Sequence, residues 1–141
     1  MHVIPFIPSH LALLEIQPAQ VYMAPALTRR YGEALAESGP AFSAACGGAL
    51  VGAAGIANQH PGTGRAWALL SPAAGPWLPT ITKACLRFFA DARYRRIEAT
   101  VLTGWAAGAR WAAMLGFERE GTMRGYGPDG QDFDLYARVR P

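Results

Sequence analysis

Between Arg65 and Leu102 the sequence changes its apolar period twice, and this constrains the fold more than any other feature of the chain. Arg65 to Leu70 reads as a strand, Trp77 to Ala92 as the longest helix, and Arg96 to Leu102 as a second strand. In the helix, Leu78, Ile81, Cys85, Phe88 and Phe89 form one apolar stripe, while Lys83, Arg87 and Asp91 fall on the opposite face. Pro72 to Pro76 makes the sharp loop that opens it. If the two strands are parallel neighbours, the connection must cross right-handed, which commits the middle of the chain to an α/β sheet.

The flanking segments supply antiparallel pieces. Val3 to Ile7 is strand-like and edge-like because of Pro5. Ser9 is placed to cap a helix from His10 to Ile16, stopped by Pro18, and Pro25 opens a helix over Ala26 to Glu37 with Leu27, Tyr31, Ala34 and Leu35 at helical spacing. Ser38-Gly39-Pro40 closes it. Ala41 to Cys46 and Ala49 to Asn58 are strands joined by Gly47-Gly48, followed by a turn over His60 to Gly64. After Leu102, a helix from Ala106 to Leu115 places Ala107, Gly108, Trp111, Met114 and Leu115 on one face and Arg110 on the other. Glu118 to Tyr126 and Gln131 to Val139 then form a hairpin around Gly127-Pro128-Asp129-Gly130. The expected order is β-α-α-β-β-β-α-β-α-β-β, a mixed sheet with helices on both faces, in one domain spanning residues 1–141.

Composition excludes several classes. With 51% hydrophobic and 16% charged residues the chain is no disordered segment. Ala41 to Ala57 carries no charge, and Gly48 and Gly52 are spaced as GxxxG. Alanine and glycine contribute too little transfer free energy for a membrane span, so two buried strands are expected there. Cys46 and Cys85 lack metal spacing and read as two buried, reduced thiols of a cytosolic protein. His2, His10 and His60 are scattered, so no metal site is expected. No signal peptide is read at the N-terminus. The net charge of +3 fits a phosphorylated ligand or nothing in particular. Arg93, Arg95 and Arg96 form the one basic cluster, with Tyr94 as its single aromatic neighbour, which argues against nucleic acid.

Four stretches carry a more specific likeness: Trp67-Ala68-Leu69-Leu70-Ser71, Arg95-Arg96-Ile97-Glu98-Ala99, Arg110-Trp111 before Leu115-Gly116-Phe117, and Asp132 with Leu135-Tyr136-Ala137-Arg138. Together with the element order, they make almost the whole chain resemble the GNAT acyl-CoA N-acyltransferase superfamily, and more narrowly its small phage-encoded members. The resemblance implies that acyl-CoA enters between two splayed parallel strands like a missing strand, and that backbone amides of the next helix bind its pyrophosphate. The family's mark is Val-x-Pro, then Arg/Gln-x-x-Gly-x-Gly/Ala. Here Leu70-Ser71-Pro72 matches the first step, while Gly75, Leu78 and Thr80 stand at the marked positions of the second, and Pro76 and Pro79 remove amide donors.

Carried over residue by residue, the implied cofactor contacts are Leu69, Leu70, Ser71, Ala74, Gly75, Trp77 and Leu78, with Trp105 at the family's asparagine position. Ala112 stands where the family has a general-acid tyrosine, and neighbouring Trp111 reads as a core anchor. Main-chain N–H groups near Leu69 and Leu70 are expected to polarise the thioester carbonyl. Glu98, His60, Tyr126 and Tyr136 are the candidate proton-handling side chains, each with an alternative structural reading. The implied activity is acetyl transfer from acetyl-CoA, without a metal, to a small-molecule or protein amine; a homodimer is compatible with it. The degenerate loop favours the alternative, a catalytically silent phage structural, packaging or interaction protein, located in a virion or the host cytoplasm.

Overall fold

A computed structural model describes residues 1–141. The strands are β1 (His2–Pro5), β2 (Ala41–Cys46), β3 (Ala49–His60), β4 (Thr63–Leu70), β5 (Arg96–Leu102), β6 (Glu118–Met123) and β7 (Phe133–Val139). The helices are α1 (His10–Leu13), α2 (Arg29–Ser38), α3 (Leu78–Asp91) and α4 (Ala106–Met114), with 3-10 segments at Pro18–Ala26 and Pro72–Trp77. The seven strands are ordered β1-β2-β3-β4-β5-β7-β6, and β4 and β5 are parallel. This is the mixed α/β sheet expected from the alternating periods. No helix is long and apolar enough to cross a membrane; Ala41 to Ala57 lies in β2 and β3. Gly47 and Gly48 have φ of 58° and 80°, the left-handed pair that a two-residue hairpin turn requires.

The residues pack into two compact units, Met1–Asn58 with Ala66–Ile81, and Gln59–Arg65 with Thr82–Pro141. The first is built on Phe6, Leu11, Leu14, Leu35, Ala53 and Leu69. Trp67 meets Phe6 edge-on at 5.4 Å. His10, also buried, has its Nδ1 2.8 Å from the Ser43 hydroxyl, and the Ile7 N–H donates to the same nitrogen. Nδ1 is therefore an acceptor and the ring proton sits on Nε2.

In the second unit, Phe89 of α3 meets Phe117 edge-on at 5.6 Å, with the Arg138 guanidinium over its ring. Ile97, Phe133, Tyr136 and Ala137 are buried alongside. Cys85 is buried as expected, and burial pushes its thiol up to about 11, whereas Cys46, expected to be buried too, is only half-buried at the end of β2.

Several boundaries differ from expectation. The helix after Ser9 stops at Leu13 rather than Ile16, because Leu14 turns extended and the Gln17 N–H goes instead to the Leu70 carbonyl at 2.9 Å. Pro25 ends up inside the first 3-10 segment. α2 starts at Arg29, where Thr28 caps it by accepting from the Tyr31 N–H. Along α4 the buried positions are Gly108, Ala112 and Leu115, whereas Met114 is 61% exposed. The inward face is thus rotated from the one the apolar spacing suggested. A small residue at position 112 faces inward while a flexible methionine sits outside.

Candidate functional site

The parallel ladder between β4 and β5 runs only from Thr63–Arg96 through Gly64–Ile97 to Arg65–Glu98. β4 itself continues to Leu70. In that continuation Ser71 gives its N–H to the Val51 carbonyl of β3. Strand alternation then turns Leu69 to the β3 side as well, and Ala68 and Leu70 to the other. Three of those outer groups are taken by one short segment of the first unit. The Gln17 N–H donates to the Leu70 carbonyl at 2.9 Å, Gln20 Nε2 donates to the Ala68 carbonyl at 2.8 Å, and the Leu70 N–H donates to Gln20 Oε1 at 3.1 Å. Of the two amides expected to serve as donors, the Leu70 N–H is bonded to Gln20 Oε1, and strand alternation puts the Leu69 N–H on the β3 side.

The loop that follows is closed on itself. Ser71 caps the 3-10 segment, its hydroxyl accepting from the Ala73 N–H and its carbonyl from the Ala74 N–H. The Leu78 N–H donates to the Gly75 carbonyl. Pro72, Pro76 and Pro79 have no N–H. The helical path thus opens at Ser71, not at Trp77, so donors expected around Trp77 lie within a continuing turn. Leu69, Ser71 and Ala74 are buried, Leu70, Trp77 and Leu78 half-buried, and Gly75 exposed with open space on its Cβ side.

In the second unit, the end of the β4–β5 ladder carries a chain of charges. Arg65 donates to the Tyr126 hydroxyl at 2.7 Å and to Glu98 at 3.0 Å; Arg96 donates to Glu98 at 2.9 Å and, through both terminal nitrogens, to Glu120. Burial raises the Glu98 carboxyl, but the hydrogen bonds from Arg65 and Arg96 outweigh it and hold the group below its ordinary 4.5. The Arg96 hydrogen bonds likewise depress Glu120. Glu98 is therefore a carboxylate anchored by two guanidinium groups.

The structure thus joins two of the proposed proton-handling residues, Glu98 and Tyr126, through Arg65, which the sequence did not single out. Tyr126 is exposed and, as an acceptor from Arg65, keeps its own O–H to give. Tyr136 is buried on β7, and His60 is exposed at the end of β3. Trp105 precedes α4 with its ring across Gly108, where a Cβ would come within 2.5 Å of it. Trp111 is half-buried, and its indole N–H donates to the Thr82 hydroxyl at 2.9 Å. No three His, Cys, Asp or Glu side chains gather as metal ligands.

The ladder makes stability fall in acid. A carboxyl with a depressed folded pKa stabilises the fold fully above its unfolded value of 4.5, and that contribution is lost as pH drops through the lower folded value. Denaturant unfolding between about pH 6 and pH 3 should show this loss, and Glu98→Gln should flatten it. A variant profile parallel to that of the native chain would mean that Glu98 is not held as described.

No protein-family model matches the sequence, and no curated protein does. Solved structures do match. The ribosomal-protein-alanine N-acetyltransferase of Brucella melitensis is 14% identical with a TM-score of 0.75, covering 99% of this chain and 100% of that one. The GNAT-family acetyltransferase of Streptococcus pneumoniae is 16% identical, TM-score 0.70, covering 99% of each chain. That of Bacillus anthracis is 17% identical, TM-score 0.69, covering 97% and 93%. At these identities the likeness is one of fold.

Proposed function

We infer that this chain, which has the fold of the GNAT N-acetyltransferases, is an acyl-CoA-dependent N-acyltransferase acting on an amine. The observation that carries this reading is the stretch of β4 beyond Arg65. There the Ala68 carbonyl and the Leu70 N–H are matched by a side-chain amide in place of a strand. An edge that accommodates one amide in this way suits the amide-bearing arm of an acyl-CoA.

Ala68 and Leu70 would hold that arm, with Ser71, Ala74, Gly75, Trp77 and Leu78 beside its diphosphate. Bound acyl-CoA supplies an activated thioester for attack by the amine. The chain's own contribution is positional and electrostatic. A main-chain N–H near Leu69 and Leu70 that is aimed at a thioester oxygen would stabilise the charge that develops on it. The self-bonded loop and its prolines leave few donors for a diphosphate, so donor affinity should be modest.

Calorimetry with acetyl-CoA should give a Kd of about 100 μM or weaker, equivalent to roughly −5.5 kcal/mol. Thiol release should appear when an amine panel is added. Submicromolar affinity would mean that the loop binds diphosphate well after all. Absence of both binding and thiol release at millimolar donor would refute the acyltransferase reading.

A further inference from the structure

Gln20 is a buried polar side chain, 8% exposed, and both the nitrogen and the oxygen of its amide are bonded. Nε2 donates to the Ala68 carbonyl, while Oε1 accepts both the Leu70 N–H and the Gln17 side-chain Nε2, the last at 3.0 Å. Only this orientation of the amide works, since turning it over would set N–H against N–H at Leu70 and oxygen against oxygen at Ala68. Gln17 adds its own backbone N–H to the Leu70 carbonyl. Between Ala68 and Leu70, then, the outward backbone groups of β4 are answered by residues 17 and 20, which lie on a loop and a 3-10 segment and not on a strand.

A 3-10 segment with two prolines is poorly suited to be a permanent sheet neighbour. Pro18 and Pro25 lie within Pro18–Ala26, and Val21 beside Gln20 is 63% exposed. The Leu70 N–H has a single proton, so it can serve Gln20 or a ligand but not both. The Ala68 carbonyl has two lone pairs and could serve both. The competition is therefore decided at the Leu70 N–H.

We propose that the Gln20 side chain is a displaceable stand-in for a pantetheine amide of the acyl donor, so that donor entry requires Gln20 to leave Leu70 and loosens Pro18–Ala26. This rests on the acyltransferase reading. While Gln20 is seated the Leu70 N–H is spent and the site is closed. Donor binding bears the cost of opening, which lowers its apparent affinity by the fraction of open molecules.

Removing the stand-in should reveal that cost. Gln20→Ala should bind acetyl-CoA about 10-fold more tightly than the native chain, about 1.4 kcal/mol. The same gain should appear with pantetheine alone, which has the amides without the nucleotide. In the native chain, which tests the idea without any substitution, the Gln20 side-chain NH2 signals should move to the position of a solvent-exposed glutamine as acetyl-CoA saturates the protein. Equal or weaker binding by Gln20→Ala overturns the proposal and leaves the acyltransferase reading intact. A gain with acetyl-CoA but none with pantetheine, or unmoved Gln20 signals at saturation, overturns it as well. Failure of both proteins to bind either compound at millimolar concentration overturns the acyltransferase reading together with it.

Discussion

Gly32→Ala is expected to destabilise the protein by about 2 kcal/mol or more, although helix propensity alone favours alanine by roughly 1 kcal/mol. Gly32 is buried within α2, and a Cβ there would lie 2.4 Å from the Pro8 carbonyl oxygen, 2.9 Å from Pro8 Cα and 3.0 Å from its carbonyl carbon. All three are backbone atoms, so no side chain can rotate out of the way. The same carbonyl accepts the Leu11 N–H that opens α1, and Leu11 is 1% exposed in the core. Relieving the clash therefore shifts either the turn or the core residue that follows it. Thermal unfolding should show a Tm lowered by roughly 6–8 °C. A raised Tm would mean that propensity prevails and that the helix and Pro8 are less tightly apposed than described.

Trp111→Ala is expected to cost about 3 kcal/mol, the lower part of the range for large-to-small aromatic changes because the ring is only half-buried. Trp111→Phe keeps most of the contact area and loses the bond to Thr82, at a cost of about 1 kcal/mol. Denaturant titration of the two variants separates packing from hydrogen bonding. Trp111 is a packing residue if acetyl-CoA affinity is unchanged in the folded variants. Unchanged stability with altered donor binding would make it a ligand contact instead.

Local patterns in the sequence located most of the elements. β2 and β5 have the expected bounds, Ala41–Cys46 and Arg96–Leu102, because turn glycines at 47 and 48 and a sustained alternation delimit them without help from the rest of the chain. The apolar stripe of α3 likewise put Ile81, Cys85 and Phe89 in the interior. What escaped were residues whose roles depend on partners far along the chain. Gln20 has no local signature, since its partners Ala68 and Leu70 are 48 and 50 residues away. Arg65 and Glu98 meet only because the parallel register sets them side by side, a register that periodicity does not contain. The helix expected to run to Ile16 shows the same competition, in which a tertiary hydrogen bond from Gln17 outweighs a weak local preference. Thr28, by contrast, carries a local signal, since a threonine directly before Arg29 is a common N-cap.

The two outermost strands bear on how the protein behaves in concentrated solution. β1 is four residues long and ends in Pro5, which has no N–H to offer an incoming chain. β6 exposes Glu118, Arg119 and Glu120 in succession, and its register shifts between Arg119 and Gly121. Both strands are thus poor templates for fibrillar growth, one through its brevity and proline, the other through charge and an irregular ladder. A protein with 51% hydrophobic residues and a modest net charge has little colloidal repulsion to rely on, and these two margins supply a barrier to aggregation that composition alone does not.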